Sequence, residues 1–176
     1  MLETQRPTTG LLFGSFLFRS DLISESELIA KFESLYGEAL YYRPAFNPLA
    51  EYYAKEMGEG LKRIFLITSD IFPREYLLSS KLAALEWERG WSRDQKRFVN
   101  VDTGFLSAEN FLLATTKNYA HRVFIGQNLF ADLTYQMTNG QLECFPWTYP
   151  DYRDEEKMRY FSWARQFLLQ KLKSNA

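Results

Sequence analysis

Lys117, His121 and Arg122 fall within the string Thr115-Thr-Lys-Asn-Tyr-Ala-His-Arg122. Donors grouped at one turn can grip a phosphate or a carboxylate, because charge-assisted hydrogen bonds are shorter and stronger than neutral ones. His121, the chain's single histidine, is the candidate general acid/base, since no other side chain titrates near neutral pH unaided. A plainer reading competes, in which Arg122 pairs with Asp132, Lys117 is a solvated helix end and His121 is a hydrogen-bonded core residue. Asp102, in Asn100-Val-Asp-Thr-Gly104, is the second catalytic candidate, as a general base or metal ligand; its bland alternative is a turn-former. Lys62 and Arg63 open an apolar strand near Glu51, Lys55 and Glu56, where they would line a cleft with Tyr53 stacking, or sit at a solvated strand end. Trp147 and Asp151 belong to Phe145-Pro-Trp-Thr-Tyr-Pro-Asp-Tyr152, which can stack a planar ligand or form a rigid loop that pins the last helix. Cys144 invites a Cys–His nucleophile reading, but hairpin parity places it on an apolar face, as a buried thiol.

Composition narrows the field. The 176 residues carry 21 Lys+Arg against 22 Asp+Glu, with 15 Phe, 11 Tyr and 4 Trp. A near-neutral chain lacks the basic footprint of nucleic-acid binders, so nucleic acid is disfavoured as a partner. One Cys excludes an internal disulfide and a Cys-cluster zinc site, and one His excludes two-His metal motifs, so no metal site is expected. The N-terminal residues lack a signal-peptide layout, and Leu11–Phe18 is too short to cross a bilayer. The expectation is a cytoplasmic protein of one domain, residues 1–176, with no membrane partner. Neither Gly58-Glu-Gly60-Leu-Lys62 nor Gly10-Leu-Leu-Phe-Gly14 has the spacing of a P-loop or a dinucleotide fingerprint, so conventional nucleotide-binding folds are poor guesses and the cofactor stays unknown.

The elements that would position these residues read as α+β. Residues 10–102 read as a ferredoxin-like βαββαβ series. Leu11–Phe18 and Leu61–Thr68 are apolar on both faces and suit central strands, while Ala39–Arg43 suits an edge. Ser24-Glu-Ser-Glu27 is a capping box before a helix carrying Leu28, Phe32 and Leu35. A loop is expected through Pro44, Pro48 and Glu51–Gly58. Asp70 and Pro73 start a second helix whose stripe is Leu78, Leu82 and Leu85. Arg97–Asp102 is the fourth strand.

Residues 103–176 would add a helix over Leu106–Asn118 capped by Ser107, antiparallel hairpins, and a closing helix over Arg153–Lys173 with Phe161, Ala164, Leu168 and Leu172 inward. Asn139-Gly140 sets the stronger hairpin, with Tyr135 opposite Cys144 and Met137 opposite Leu142. A strand at His121–Ile125 places Arg122 opposite Asp132.

Glu51-Tyr-Tyr-x-x-Glu-Met-Gly58, Leu61-Lys-Arg63, Asn100-x-Asp102, Ala114-Thr-Thr-Lys-Asn118, His121-Arg122 and Pro146-Trp-Thr-Tyr-Pro-Asp-Tyr152 together resemble an uncharacterised bacterial family, the domain-of-unknown-function family 4416. Members usually read Asn-x-Asp-Pro-Gly-Tyr where this chain has Asn100-Val-Asp-Thr-Gly-Phe105. The resemblance carries no activity. A GTP-binding label borne by some members finds no P-loop here. It does imply that the polar positions above belong to a shared pattern. The expected function is binding of, or action on, a small anionic ligand such as a nucleotide or phosphorylated metabolite. A non-catalytic protein-interaction module is the alternative, and an RNA-binding module that uses exposed sheet aromatics is less favoured. Reaction type, ligand and oligomeric state stay open.

Overall fold

Two strands with apolar side chains on both faces need cover on both sides, and helices supply it. The computed structural model describes residues 5–44, 50–94 and 96–174. Its strands are β1 (Leu11–Arg19), β2 (Ala39–Tyr42), β3 (Leu61–Thr68), the short pair β4 (Ser92–Arg93) and β5 (Lys96–Arg97), β6 (Val99–Leu106), β7 (Asn110–Thr115), β8 (Arg122–Gly126), β9 (Leu129–Thr138) and β10 (Gln141–Cys144). Its helices are α1 (Glu25–Tyr36), α2 (Ala50–Met57), α3 (Tyr76–Gly90) and α4 (Glu155–Ser174), with a 3-10 turn at Pro150–Tyr152. The main sheet is antiparallel, in the order β10-β9-β7-β6-β1-β3-β2, with β8 also paired to β9. Strands β1 and β3 are central and β2 lies at an edge, as their hydrophobic load requires.

Alternate residues of β1 feed two cores. Leu12, Phe16 and Phe18 pack with Leu28 and Phe32 of α1 and Leu77, Ala84 and Trp87 of α3. Leu11 and Phe13 pack with Phe65, Phe111 and Tyr135 under Phe161, Ala164 and Leu168 of α4. Helix α1 starts at the expected capping box, in which Ser24 Oγ accepts from Glu27 N–H and Glu27 Oε2 accepts from Ser24 N–H. Gly104 has a steric reason. A Cβ there would meet Leu112 O at 2.6 Å and the Phe111 ring at 2.8 Å, so β6 and β7 approach closely only over glycine.

Several sequence expectations are corrected. Residues 110–115 are not part of a helix but form strand β7, paired to both β6 and β9. The run Phe111-Leu-Leu-Ala114 fits a helix or a doubly covered strand equally well. Ser107 Oγ accepts from the Glu109 and Asn110 N–H groups, so it caps a tight turn instead. Residues 50–57 form helix α2 where a loop was expected, and Pro48 lies outside the described residues. Helix α3 begins only at Tyr76, so its inward positions are Leu77, Ser80, Lys81, Ala84 and Trp87, and Leu82 is exposed. Asp102 lies inside β6 and does not end it. Cys144 is exposed at the tip of edge strand β10, with its Sγ 3.8 Å from Met158 Sδ, and is not a core thiol. Among the described residues no helix is long and apolar enough to cross a membrane.

The α3 register yields a direct comparison. Trp87→Ala, which removes a ring stacked on Phe16, should cost about 3–5 kcal/mol of unfolding free energy. Leu82→Ala should stay within about 0.5 kcal/mol. Urea unfolding of the two variants measures both, and equal losses would contradict this register.

Candidate functional site

Strands β6 and β7 pair only from Thr103–Ala114 to Leu106–Phe111, and towards Val99 they part. The edge of β6 left bare by this fork would expose backbone polar groups, and two side chains of α3 take them up. Glu88 Oε1 accepts from Val101 N–H at 2.7 Å, and Lys81 Nζ donates to Val101 O at 2.7 Å. A cavity of about 450 Å³ occupies the fork. Its wall carries Asn100 and Asp102 of β6, Lys81, Leu85 and Glu88 of α3, and Leu113 to Lys117 at the end of β7. It continues through Arg63 of β3, Asp132 of β9, Tyr52, Tyr53 and Glu56 of α2, Arg97, and Tyr149 to Tyr152.

Parity explains why polar groups gather here. Arg63, Asn100 and Asp102 alternate with Ile64, Val99 and Val101, which face α1 and α3. They therefore lie on the α4 side of the sheet. On β9, Leu112 pairs with Leu133 but Phe111 pairs with Tyr135, so Thr134 is an extra residue. That bulge reverses the alternation. Ala131 joins the α1–α3 core while Tyr135 joins the α4 core, although strict alternation would put both on one face.

Two buried arginine–carboxylate pairs frame the cavity. Arg63 Nη1 donates to Asp151 Oδ2 at 2.6 Å, and Arg122 Nε donates to Asp132 Oδ2 at 2.8 Å. Arg122 also donates to Lys117 O at 3.0 Å and to the Tyr149 hydroxyl at 2.6 Å. Burial works against the charge on Arg122, but the Asp132 hydrogen bond and Tyr149 outweigh it and raise its pKa above the ordinary value. His121 Nε2 lies 3.3 Å from Asp132 Oδ2, and its ring is sandwiched between Trp147 at 5.1 Å and Tyr119 at 6.0 Å. Trp147 stacks in turn on Phe145 at 4.8 Å and donates its Nε1–H to Leu133 O at 2.9 Å. Asp102 accepts from Asn100 Nδ2 at 3.1 Å. Burial, with the negative charge of Asp102 nearby, pushes the Tyr53 phenol up to about 12.

Of the sequence candidates, Tyr53, Arg63, Asp102, Lys117 and Asp151 converge on this one cavity. His121 and Arg122 stand behind its wall and act on it through Asp132. Trp147 backs His121 and does not line the cavity. Lys62, one residue from Arg63 and hence on the opposite face of β3, is exposed and does not reach it. Asp132, expected from the sequence only as the partner of Arg122, is 1% exposed and lines the cavity. Sequence reasoning missed Lys81, Glu88 and Tyr149, which nothing in a helix stripe or an aromatic loop distinguishes.

The cavity wall is left incompletely satisfied. Arg63 Nε, Asp132 Oδ1, Asp151 Oδ1 and the Tyr152 hydroxyl are buried without a hydrogen-bond partner among the described residues. An unpartnered buried polar group costs about 1–3 kcal/mol, and a charged one more. Among the described residues no cluster of His, Cys, Asp and Glu is arranged to hold a metal.

Two predictions follow from the wall itself. Asp151→Ala, which strands the buried Arg63 charge, should cost about 3–5 kcal/mol in a denaturant titration, and Arg63→Met with Asp151→Leu should recover most of it. The second concerns alkaline pH. A phenol whose folded pKa is about 12, against an ordinary value of 10, holds its proton more tightly when folded. Its contribution is intact below pH 10 and is lost as pH rises towards 12. Tyr53→Phe should therefore flatten the fall in melting temperature across that window, and an unchanged slope would contradict the burial of Tyr53.

Residues 8–167 match the profile of a family described as Domain of unknown function (DUF4416). Comparison with curated proteins and with solved structures gives no match.

Proposed function

The chain belongs to the DUF4416 family, and we propose that its member here binds a small ligand bearing an anionic group, a nucleotide or a phosphorylated metabolite, in the cavity between β6 and β7. One observation carries the reading. Five residues whose chemistry the sequence marks line a single cavity, and one of them, Arg63, has a buried Nε without a partner among the described residues. Lys117 supports it, since its ammonium makes no ion pair among the described residues and lies at the exposed rim. In this reading Lys117 meets the anion first, Arg63 Nε receives one of its oxygens, and Tyr53 supplies a ring for the ligand body. The other cations are committed elsewhere. Arg97 pairs with Glu56 at 2.8 Å and with Glu88 at 3.1 Å, and Lys81 holds Val101 O. Catalysis would fall to Asp102 or Asp132 at the wall, with His121 positioning Asp132.

A protein-interaction role has one specific support. On edge strand β8 and the turn before it, Tyr119, Val123 and Phe124 are 60–67% exposed. The RNA reading stays the less favoured one, since it needs an open sheet face and helices cover both faces of the central strands.

A ligand bound only by the folded chain raises its melting temperature by mass action. Adenosine 5′-monophosphate, ribose 5-phosphate and inorganic phosphate at millimolar concentration form the first panel, and at least one should give a concentration-dependent rise. Lys117→Ala, at an exposed position, should weaken that binding about tenfold, the worth of one charge-assisted contact. No shift with any of the three would sink the proposal.

A further inference from the structure

Two carboxylate oxygens are left open at the cavity beside the open donors. Asp132 and Asp151, 1% and 3% exposed, are each held by one oxygen only, Oδ2, on Arg122 and Arg63 respectively. The other oxygen of each, Oδ1, is buried and has no partner among the described residues. Both residues line the same cavity. A purely structural ion pair buried this deeply would saturate both carboxylate oxygens, since buried charges are retained at tolerable cost only when paired and hydrogen-bonded. An arginine behind each carboxylate keeps it oriented and leaves the second oxygen for something else. An anion alone does not fit this lining, because a phosphate oxygen against Asp132 or Asp151 would be repelled.

We propose that the ligand carries, besides its anionic group, a nitrogen head group whose N–H bonds are accepted by Asp132 Oδ1 and Asp151 Oδ1. This rests on the reading of the cavity as a site for an anionic ligand and narrows it to molecules that bear both functions. Lys117 and Arg63 Nε take the anionic group and the two carboxylates the N–H bonds; because Arg63 pairs with Asp151 the two groups lie side by side there, and the nitrogen end extends to Asp132. His121, stacked on Trp147 and within 3.3 Å of Asp132 Oδ2, is a positioning residue for this end. The shared chemistry is an N–H donor, which an aliphatic ammonium or an exocyclic amine on a purine supplies.

Matched pairs test it by calorimetry on the wild-type chain. Adenosine 5′-monophosphate is set against purine riboside 5′-monophosphate, which lacks only the exocyclic amine. 2-Aminoethyl phosphate is set against ethyl phosphate. The aminated member of at least one pair should bind about tenfold tighter, and the pair that responds tells aromatic amine from ammonium. Asp132→Asn and Asp151→Asn should each abolish that preference and leave the parent phosphate ester bound; where either variant fails to fold, the wild-type pairs still decide. Equal affinity within both pairs overturns the proposal and leaves the anionic reading standing. Failure of every phosphate, with 1,4-diaminobutane bound in an Asp132-dependent way, overturns the anionic reading and keeps the nitrogen site. No binding by any of the five compounds overturns both.

Discussion

The molecule is organised by the way Val101 satisfies its backbone. Strand β6 loses its neighbour β7 beyond Thr103, and a strand edge left bare inside a protein would strand its N–H and C=O groups. Glu88 and Lys81, about two turns apart on one side of α3, accept from and donate to Val101 in place of a strand. That substitution lets the sheet fork without collapsing the fork. A β-strand in this place would have closed the cavity; two side chains hold the edge and leave room. The arrangement also explains why α3 carries a buried lysine, which in a helix packed on a sheet would otherwise be a costly residue.

The fork then decides which side chains meet. Strand parity alone sends Arg63, Asn100 and Asp102 to the α4 side, but α4 covers only the end of the sheet beneath Phe161, Ala164 and Leu168. The polar end is roofed instead by α2 and by the Tyr149–Tyr152 segment. That segment is rigid because Arg153 donates to Thr148 O and Phe145 O at 2.8 Å each, which fixes the turn and delivers Asp151 to Arg63. The aromatic string before the last helix is thus both the rigid loop that its prolines suggest and a supplier of cavity wall.

Legibility of all this in the sequence followed the strength of the local signal. The Asn139-Gly140 loop set its hairpin register residue by residue, Met137 with Leu142 and Tyr135 with Cys144, because a two-residue loop leaves no freedom. Arg122 opposite Asp132 was likewise readable from the next hairpin. The apolar run at residues 111–114 was not, because burial on both faces erases the period that separates strand from helix. Strict alternation fails along β9 at one place, because the extra residue Thr134 is invisible to an alternation rule. The cavity was legible only as a set of residues. Arg63, Asp102 and Lys117 were named, but that Arg63 enters while Lys62 does not depends on which neighbour of an alternating pair faces inward, and that required the helices to be placed.

Asp132 shows how the pieces couple. Its side chain is kept in place by Arg122, whose remaining donors reach Lys117 O and the Tyr149 hydroxyl, and by His121, whose ring is fixed between Trp147 and Tyr119. A carboxylate held this firmly on one oxygen loses little further freedom when its other oxygen takes a partner, which is the condition under which a buried polar contact adds affinity instead of consuming it. The same connectivity links the rim to the floor. Arg122 bonds the Lys117 carbonyl at the rim and the Asp132 carboxylate at the wall. The basic turn and the acidic wall, separate features of the sequence, are in the fold two ends of one hydrogen-bonded unit.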